Sequence, residues 1–132
     1  MHWADYAASQ FEKREKQYIV STGITPSGEF HIGHLREMLT GDMVARACRN
    51  KELDAKLIFI VDSADPLRRV YDFLDDSYEE YVGHPLFTIP APDEAGKPCT
   101  DGTMYHTHFL EAFTDSLEEL AIDFEVCFNH QL

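Results

Sequence analysis

The stretch that decides the fold is Thr22-Gly23-Ile24-Thr25-Pro26-Ser27-Gly28-Glu29-Phe30-His31-Ile32-Gly33-His34. Residues 17–22, which overlap its start, are rich in β-branched and aromatic side chains and predict a short buried strand. Glycines, a proline and hydroxyl residues crowd positions 23–28 and predict a loop. After Gly33, apolar residues recur at helical spacing to about Asn50. The expected order is strand, glycine-rich loop, helix.

The rest of the chain extends this pattern into an α/β fold. The apolar run 55–61 is typical of a strand buried on both faces in a parallel sheet, and it completes a βαβ unit. Together the segments predict a three-layer α/β fold with at least three parallel strands. The other expected segments are a polar helix over 3–16, a short acidic helix over 75–82, an irregular insert at about 83–102, a long helix over 109–120 and a strand over 124–128.

Length and charge narrow the classes of function. The 132 residues are read as one unit with a net charge of −13. Residues 1–70 carry ten basic and ten acidic side chains, whereas 71–132 carry only Lys97 against fourteen acids. An acidic surface repels phosphate backbones, so we expect no DNA partner and no nonspecific nucleic-acid binding by this chain alone.

Hydropathy and cysteine usage predict a cytoplasmic protein. The longest apolar run, 57–61, is far too short to span a membrane, and the first residues do not resemble a secretory signal. We therefore expect no membrane partner. The three cysteines have wide, irregular spacing and are expected to be reduced thiols.

The tetrad His31-Ile32-Gly33-His34 predicts a phosphate site. A helix that begins after a strand and a loop has free backbone N–H groups, which favour an anion. Gly33 lacks a Cβ and lets a planar group approach, while His31 and His34 lie on one side of the first turn. Both imidazoles would stabilise charge during phosphoryl transfer rather than act as nucleophiles. The alternative for a single histidine here is a helix cap or a surface residue.

Two carboxylates, Asp62 and Asp65, follow the second strand, where open α/β sheets place their ligand crevice. They are candidates to bind an amine or Mg²⁺. The alternative is that Asp62 caps the turn and Asp65 pairs with Arg68 or Arg69.

The tetrad matches the "HIGH" signature of class I aminoacyl-tRNA synthetases, and further segments resemble the start of the class I lysyl-tRNA synthetases. These segments are collinear and cover nearly the whole chain. They are Trp3-Ala4-Asp5, Thr22 to Gly28, Leu35-Arg36-Glu37, Asp65 to Tyr71, Glu80-Tyr81-Val82-Gly83 and His108-Phe109-Leu110-Glu111 with Phe113.

This resemblance implies a function and a fold. The implied activity is activation of lysine by ATP with Mg²⁺, followed by transfer to tRNA(Lys). Residues 1–132 would be the amino-terminal portion of a catalytic domain, an incomplete half of a Rossmann-like (HUP-type) parallel sheet with its irregular insert at about 83–102.

The resemblance also implies site residues. The expected catalytic residues are His31 and His34, and the family positions that hold lysine correspond to Gly23 and Thr25. We add Asp62 and Asp65 to the expected lysine site. The expected ATP-binding residues are Pro26, Ser27, Gly28, His31, Gly33 and His34.

A zinc site is a further candidate, because some members of the family bind zinc with a Cys and a His in this region. The candidate ligands are Asp93, Cys99, Asp101, His106 and His108. Zinc prefers tetrahedral sets of Cys and His. The sequence departs from the family pattern, since Thr100 follows Cys99 where a His can occur and no Cys-x-x-Cys exists. These departures favour the alternative, solvated loop residues.

Segments that a complete synthetase needs are not found in this sequence: the second half of the nucleotide fold, a Lys-rich "KMSKS" loop and an anticodon-binding region. We therefore expect the chain alone to lack full activity. One alternative is a small HIGH-type nucleotidyltransferase, but residues 125–132 offer no second phosphate motif. The other is a noncatalytic synthetase-like binding module.

Overall fold

A computed structural model describes residues 1–12 and 17–132. Strands β1 (Tyr18–Ile24), β2 (Ala55–Val61) and β3 (Glu125–Phe128) form a parallel sheet in that order, with β2 in the centre. The predicted α/β class and parallel sheet are confirmed. The predicted loop begins too early, because Gly23 and Ile24 still pair with the end of β2. Backbone hydrogen bonds of the ladder outweigh the turn preference of glycine here.

Four helices accompany these strands in the part of the chain that the structure describes: α1 (Trp3–Phe11), α2 (Ile32–Asn50), α3 (Tyr105–His108) and α4 (Leu110–Glu119). The prediction for α2 is confirmed. The helix predicted over 109–120 corresponds to α4, and Phe109 separates it from the short α3 that precedes it. The end of the helix predicted over 3–16 lies outside the described residues. No described helix is both long enough and apolar enough to cross a bilayer.

Both long helices pack on one face of β2. An added Cβ on Gly41 of α2 would lie 2.9 Å from Leu57 Cδ1, and Phe113 of α4 meets the Phe59 ring edge-to-face at 5.8 Å. Leu57 and Phe59 are two residues apart on one strand, so they point to the same side of the sheet. They belong to one buried apolar cluster with side chains of both helices. This core holds the carboxyl ends of the strands beside the start of α2.

The long connection between β2 and α3 is irregular, but a buried cluster and hydrogen bonds hold it in place. It contains 3₁₀ helices at Asp76–Tyr81, where an acidic helix was predicted, and at Leu86–Thr88. Its own cluster buries Tyr78 and Tyr105. The Tyr78 hydroxyl donates to Pro90 O at 2.9 Å, and the Tyr105 hydroxyl donates to Ser27 O at 2.6 Å. Through Tyr105, the start of α3 therefore supports the loop after β1.

Candidate active site

The carboxyl edge of the sheet carries one polar side chain from each strand. The final residues of the three strands pair in register, so the residues that follow them, Thr25, Asp62 and Asn129, lie along one edge. The Asn129 amide donates from Nδ2 to Asp62 Oδ1 at 3.2 Å. This edge is the place where open α/β sheets bind ligands.

The four residues predicted to hold lysine meet at this edge. The hydroxyl of Thr25 donates to Asp65 Oδ2 at 2.6 Å. Asp62 Oδ2 lies 3.4 Å from the point that a Cβ on Gly23 would occupy. Among residues 1–12 and 17–132, Asp65 forms no ion pair with Arg68 or Arg69, so that part of the alternative is wrong.

The electrostatics of the edge favour a cation. Burial, and then the neighbouring charge of Asp65, raise the pKa of the Asp62 carboxyl above its ordinary value. The charged form of Asp62 is therefore disfavoured while no cation is present. The positive charge of a bound ammonium group would oppose this rise and favour the carboxylate.

The two histidines of the tetrad cap the helix that they begin. His31 is the N-cap of the 19-residue α2, and its Nδ1 accepts from Gly33 N at 3.0 Å. His34 Nδ1 accepts from His31 N at 3.0 Å. The ring centroids are 3.9 Å apart, so both imidazoles do lie on one side of the first turn.

The expectation of free backbone N–H groups at this helix start therefore needs correction. The Gly33 N–H is taken by the His31 ring, and the His34 N–H donates to His31 O at 2.9 Å. Because Nδ1 of each ring accepts a hydrogen bond, each neutral ring carries its proton on Nε2. The donors offered to an anion thus include two Nε2–H groups, and fewer backbone amides are free than expected.

Neighbouring side chains hold the His34 ring in place and favour its neutral form. Burial, and then the proximity of His31, lower the pKa of the His34 imidazole, which favours the neutral ring. Phe30 meets the His34 ring edge-to-face at 5.0 Å and stacks on Phe113 of α4 at 4.4 Å. A Cβ on Gly33 would come within 2.8 Å of His31 Cε1, so only glycine leaves room for this ring position.

The loop between β1 and α2 is fixed on both sides. Pro26 is fully buried, so its ring anchors the loop to the protein interior. A Cβ on Gly28 would lie 3.2 Å from the Phe73 ring. A cavity of about 510 Å³ opens beside the loop, and its lining includes Ser27, Gly28 and Phe73. Sequence patterns did not single out Phe73 because it lies in the irregular connection.

The predicted zinc cluster is not assembled. Within the described parts of the chain, no three His, Cys, Asp or Glu side chains group closely enough to hold a metal ion. Asp93 Oδ1 accepts from Ala95 N and Lys97 N, and Asp101 Oδ1 accepts from Thr103 N. The other three candidates, Cys99, His106 and His108, do not form a metal-binding group in the described part of the chain. The two aspartates therefore serve local turns, and the described candidates are not arranged to hold a zinc ion.

Asn129 is the site residue that sequence reasoning missed. The sequence contains a signal for this residue, because Asn129 follows β3 as Asp62 follows β2. Open α/β sheets bind ligands at the carboxyl ends of their strands, and this rule applies to both residues. The alternation over 124–128 predicts the strand, but it assigns no role to the polar residue that follows.

Comparison with known proteins agrees with this geometry. The profile of the family "tRNA synthetases class I (K)" matches residues 1–132. The chain belongs to this family. It is 46% identical over 132 residues, all of this chain, to a lysine–tRNA ligase of Archaeoglobus fulgidus, of which it covers 26%. It is 43% identical over 125 residues to the lysine–tRNA ligase of Methanocaldococcus jannaschii, covering 93% of this chain and 22% of that relative.

A third relative, the lysine–tRNA ligase of Thermoplasma volcanium, is 42% identical over 122 residues, which is 92% of this chain and 22% of the relative. The chain thus spans about a quarter of the length of the curated relatives it matches. Membership in the family confirms the resemblance that the HIGH tetrad and its flanking segments predict.

Proposed function

We propose that this chain supplies the HIGH helix and the lysine crevice of a lysine–tRNA ligase. Residues 1–132 would be the amino-terminal portion of the catalytic domain, with the insert at about 83–102. The substrates would be lysine, ATP with Mg²⁺ and tRNA(Lys), and the place of action the cytoplasm. The observation that carries the proposal is the pair of imidazoles whose Nδ1 atoms are engaged by backbone N–H groups.

This pair suits the first step of the reaction. The lysine carboxylate attacks the α-phosphorus of ATP, the bond to the β-phosphate oxygen breaks, and pyrophosphate leaves with lysyl-adenylate as the other product. Negative charge builds on the phosphoryl oxygens in the transition state. The Nε2–H groups of His31 and His34 would donate to those oxygens, and their positions are set before the substrate arrives.

The polar edge beside the helix suits the amino acid. Asp62 and Asp65 would hold an ammonium group of lysine, with Gly23 leaving space and Thr25 fixing Asp65. The ATP would rest against Ser27, Gly28 and Gly33, supported from below by the buried Pro26. Lysine and ATP would then meet between the end of β1 and the start of α2.

Lysine-dependent ATP–pyrophosphate exchange by the complete gene product tests the proposal. We expect His31→Ala and His34→Ala each to lower the exchange rate by about 100-fold, as loss of a preorganised transition-state donor does. His84→Ala, an exposed histidine outside the site, is the control and should leave the rate unchanged.

Two results would contradict the proposal. Exchange that survives both histidine substitutions would remove the HIGH tetrad from the chemistry. Binding of ATP without any lysine-dependent exchange would instead support a noncatalytic synthetase-like module.

A further inference from the structure

The side-chain amide of Asn129 joins the end of β3 to the turn after β2. Its Nδ2 donates to Asp62 Oδ1 at 3.2 Å. Its Oδ1 accepts from Ala64 N at 2.9 Å and from the Ser63 hydroxyl at 3.1 Å. One side chain from the third strand thus contacts three consecutive residues that follow the second.

The orientation of this amide follows from its partners. A backbone N–H can only donate and a carboxylate can only accept, so the amide oxygen must face Ala64 and the amide nitrogen must face Asp62. A flipped amide would lose both bonds. The donor to Asp62 is therefore built into the position of Asn129.

The neighbouring histidine secures the same turn. His130 Nδ1 lies 2.6 Å from the Ser63 hydroxyl oxygen, and the His130 ring stacks on Phe87 at 4.4 Å with an interplanar angle of 5°. The Phe87 N–H donates to Ser63 O at 3.0 Å. Ser63 is fully buried at the centre of these contacts. Asn129 is consequently held in a fixed place relative to Asp62.

We propose that Asn129 is a positioning residue for the lysine site: it holds Asp62 Oδ1, so that Oδ2 faces the space at Gly23 where the ammonium group binds. The inference rests on the proposed function of Asp62. In the structure Asp62 Oδ2 is the atom nearest to a Cβ built on Gly23, at 3.4 Å. Asn129 also stabilises the charged form of the carboxylate, because it donates a hydrogen bond to it.

Asn129→Asp in the complete gene product is the sharpest test. The variant keeps the shape of the side chain and an oxygen for Ala64 N–H, but it replaces the donor to Asp62 with a second negative charge. We expect the KM for lysine in ATP–pyrophosphate exchange to rise about tenfold or more, as loss of a hydrogen bond to a charged group implies, with the KM for ATP unchanged. Gln131→Glu makes the same chemical change at an exposed position of the same turn and should alter neither value.

A double-mutant cycle covers the case in which Asn129→Asp does not fold. Asn129→Ala should raise the KM for lysine in the wild-type background and have no further effect in the Asp62→Asn background. Equal effects in both backgrounds, or parallel rises in the KM values for lysine and ATP, would overturn the role of Asn129.

The single variant Asp62→Asn distinguishes the proposed lysine-binding role of Asp62 from the positioning role of Asn129. If it leaves the KM for lysine unchanged, Asp62 does not bind the ammonium group, and the role of Asn129 falls with it. If Asp62→Asn raises that KM while Asn129→Asp does not, Asp62 keeps its role and only the positioning role of Asn129 is lost.

Discussion

At the scale of single residues, the tetrad histidines have a structural role beside the chemical role that we propose for them. Each ring uses Nδ1 to satisfy a backbone N–H at the start of α2, which leaves Nε2–H for the proposed ligand. The motif could be found from the sequence because its spacing is local. The nitrogen that remains available to a ligand could not be predicted, because it depends on how the two rings fold back over the first turn.

The titration of His34 gives a prediction about stability. Its pKa in the folded protein lies below the ordinary value of 6.5, so its contribution to stability is present above pH 6.5 and is lost as pH falls below it. His34→Gln keeps an acceptor for the His31 N–H but does not titrate. We expect the thermal unfolding midpoint, followed by circular dichroism, to fall less between about pH 7.5 and pH 5.5 in this variant than in the wild type.

His84→Gln removes an exposed histidine that caps no helix and is the matched control. It should keep the wild-type pH dependence. An equally steep fall in His34→Gln and the wild type would show that neutral His34 contributes nothing to the stability of the helix start.

At the scale of elements, α2 approaches the sheet closely because position 41 is glycine. An added Cβ would meet Thr22 Cγ2 at 2.7 Å and Leu57 Cδ1 at 2.9 Å. Thr22 and Leu57 belong to neighbouring strands, so one residue sets the distance of the helix from both. The helical periodicity predicted α2 correctly, but it did not reveal that Gly41 is its point of closest contact.

We expect Gly41→Val to lower the free energy of unfolding by about 2–3 kcal/mol, because the larger side chain forces the helix away from β1 and β2. Urea unfolding measures the change. Thr40→Val places the same side chain at the neighbouring exposed position and should change stability by less than about 0.5 kcal/mol. Similar losses for both variants would mean that valine in the helix, rather than the close contact, is responsible.

At the scale of the whole molecule, acidic side chains neutralise much of the basic charge. Four ion pairs occur within residues 1–12 and 17–132, and two of them, Arg49–Asp123 and Lys56–Glu125, join the charge-balanced first half to the acidic second half. Part of the basic charge of the first half is thus paired with acids, and the chain as a whole carries a net charge of −13.

This charge distribution predicts whether the 132-residue chain binds nucleic acid by itself. We expect no tRNA complex in a gel-shift assay at about 0.1 M salt and micromolar protein, because phosphate contacts by Lys and Arg supply most of the nonspecific affinity. The complete gene product in the same assay is the comparison. A complex with the 132-residue chain whose affinity falls steeply with added salt would contradict the expectation.

The sequence by itself determined the α/β order, the HIGH tetrad at the start of α2 and the carboxylates after β2, because each depends on periodicity or spacing within a short segment. Only the tertiary structure decided that Thr25 bonds to Asp65, that Asn129 faces Asp62 and that the expected zinc ligands are not brought together. These outcomes depend on the register of parallel strands and the course of long connections. Contacts between residues far apart in the chain set both, and no local pattern records them.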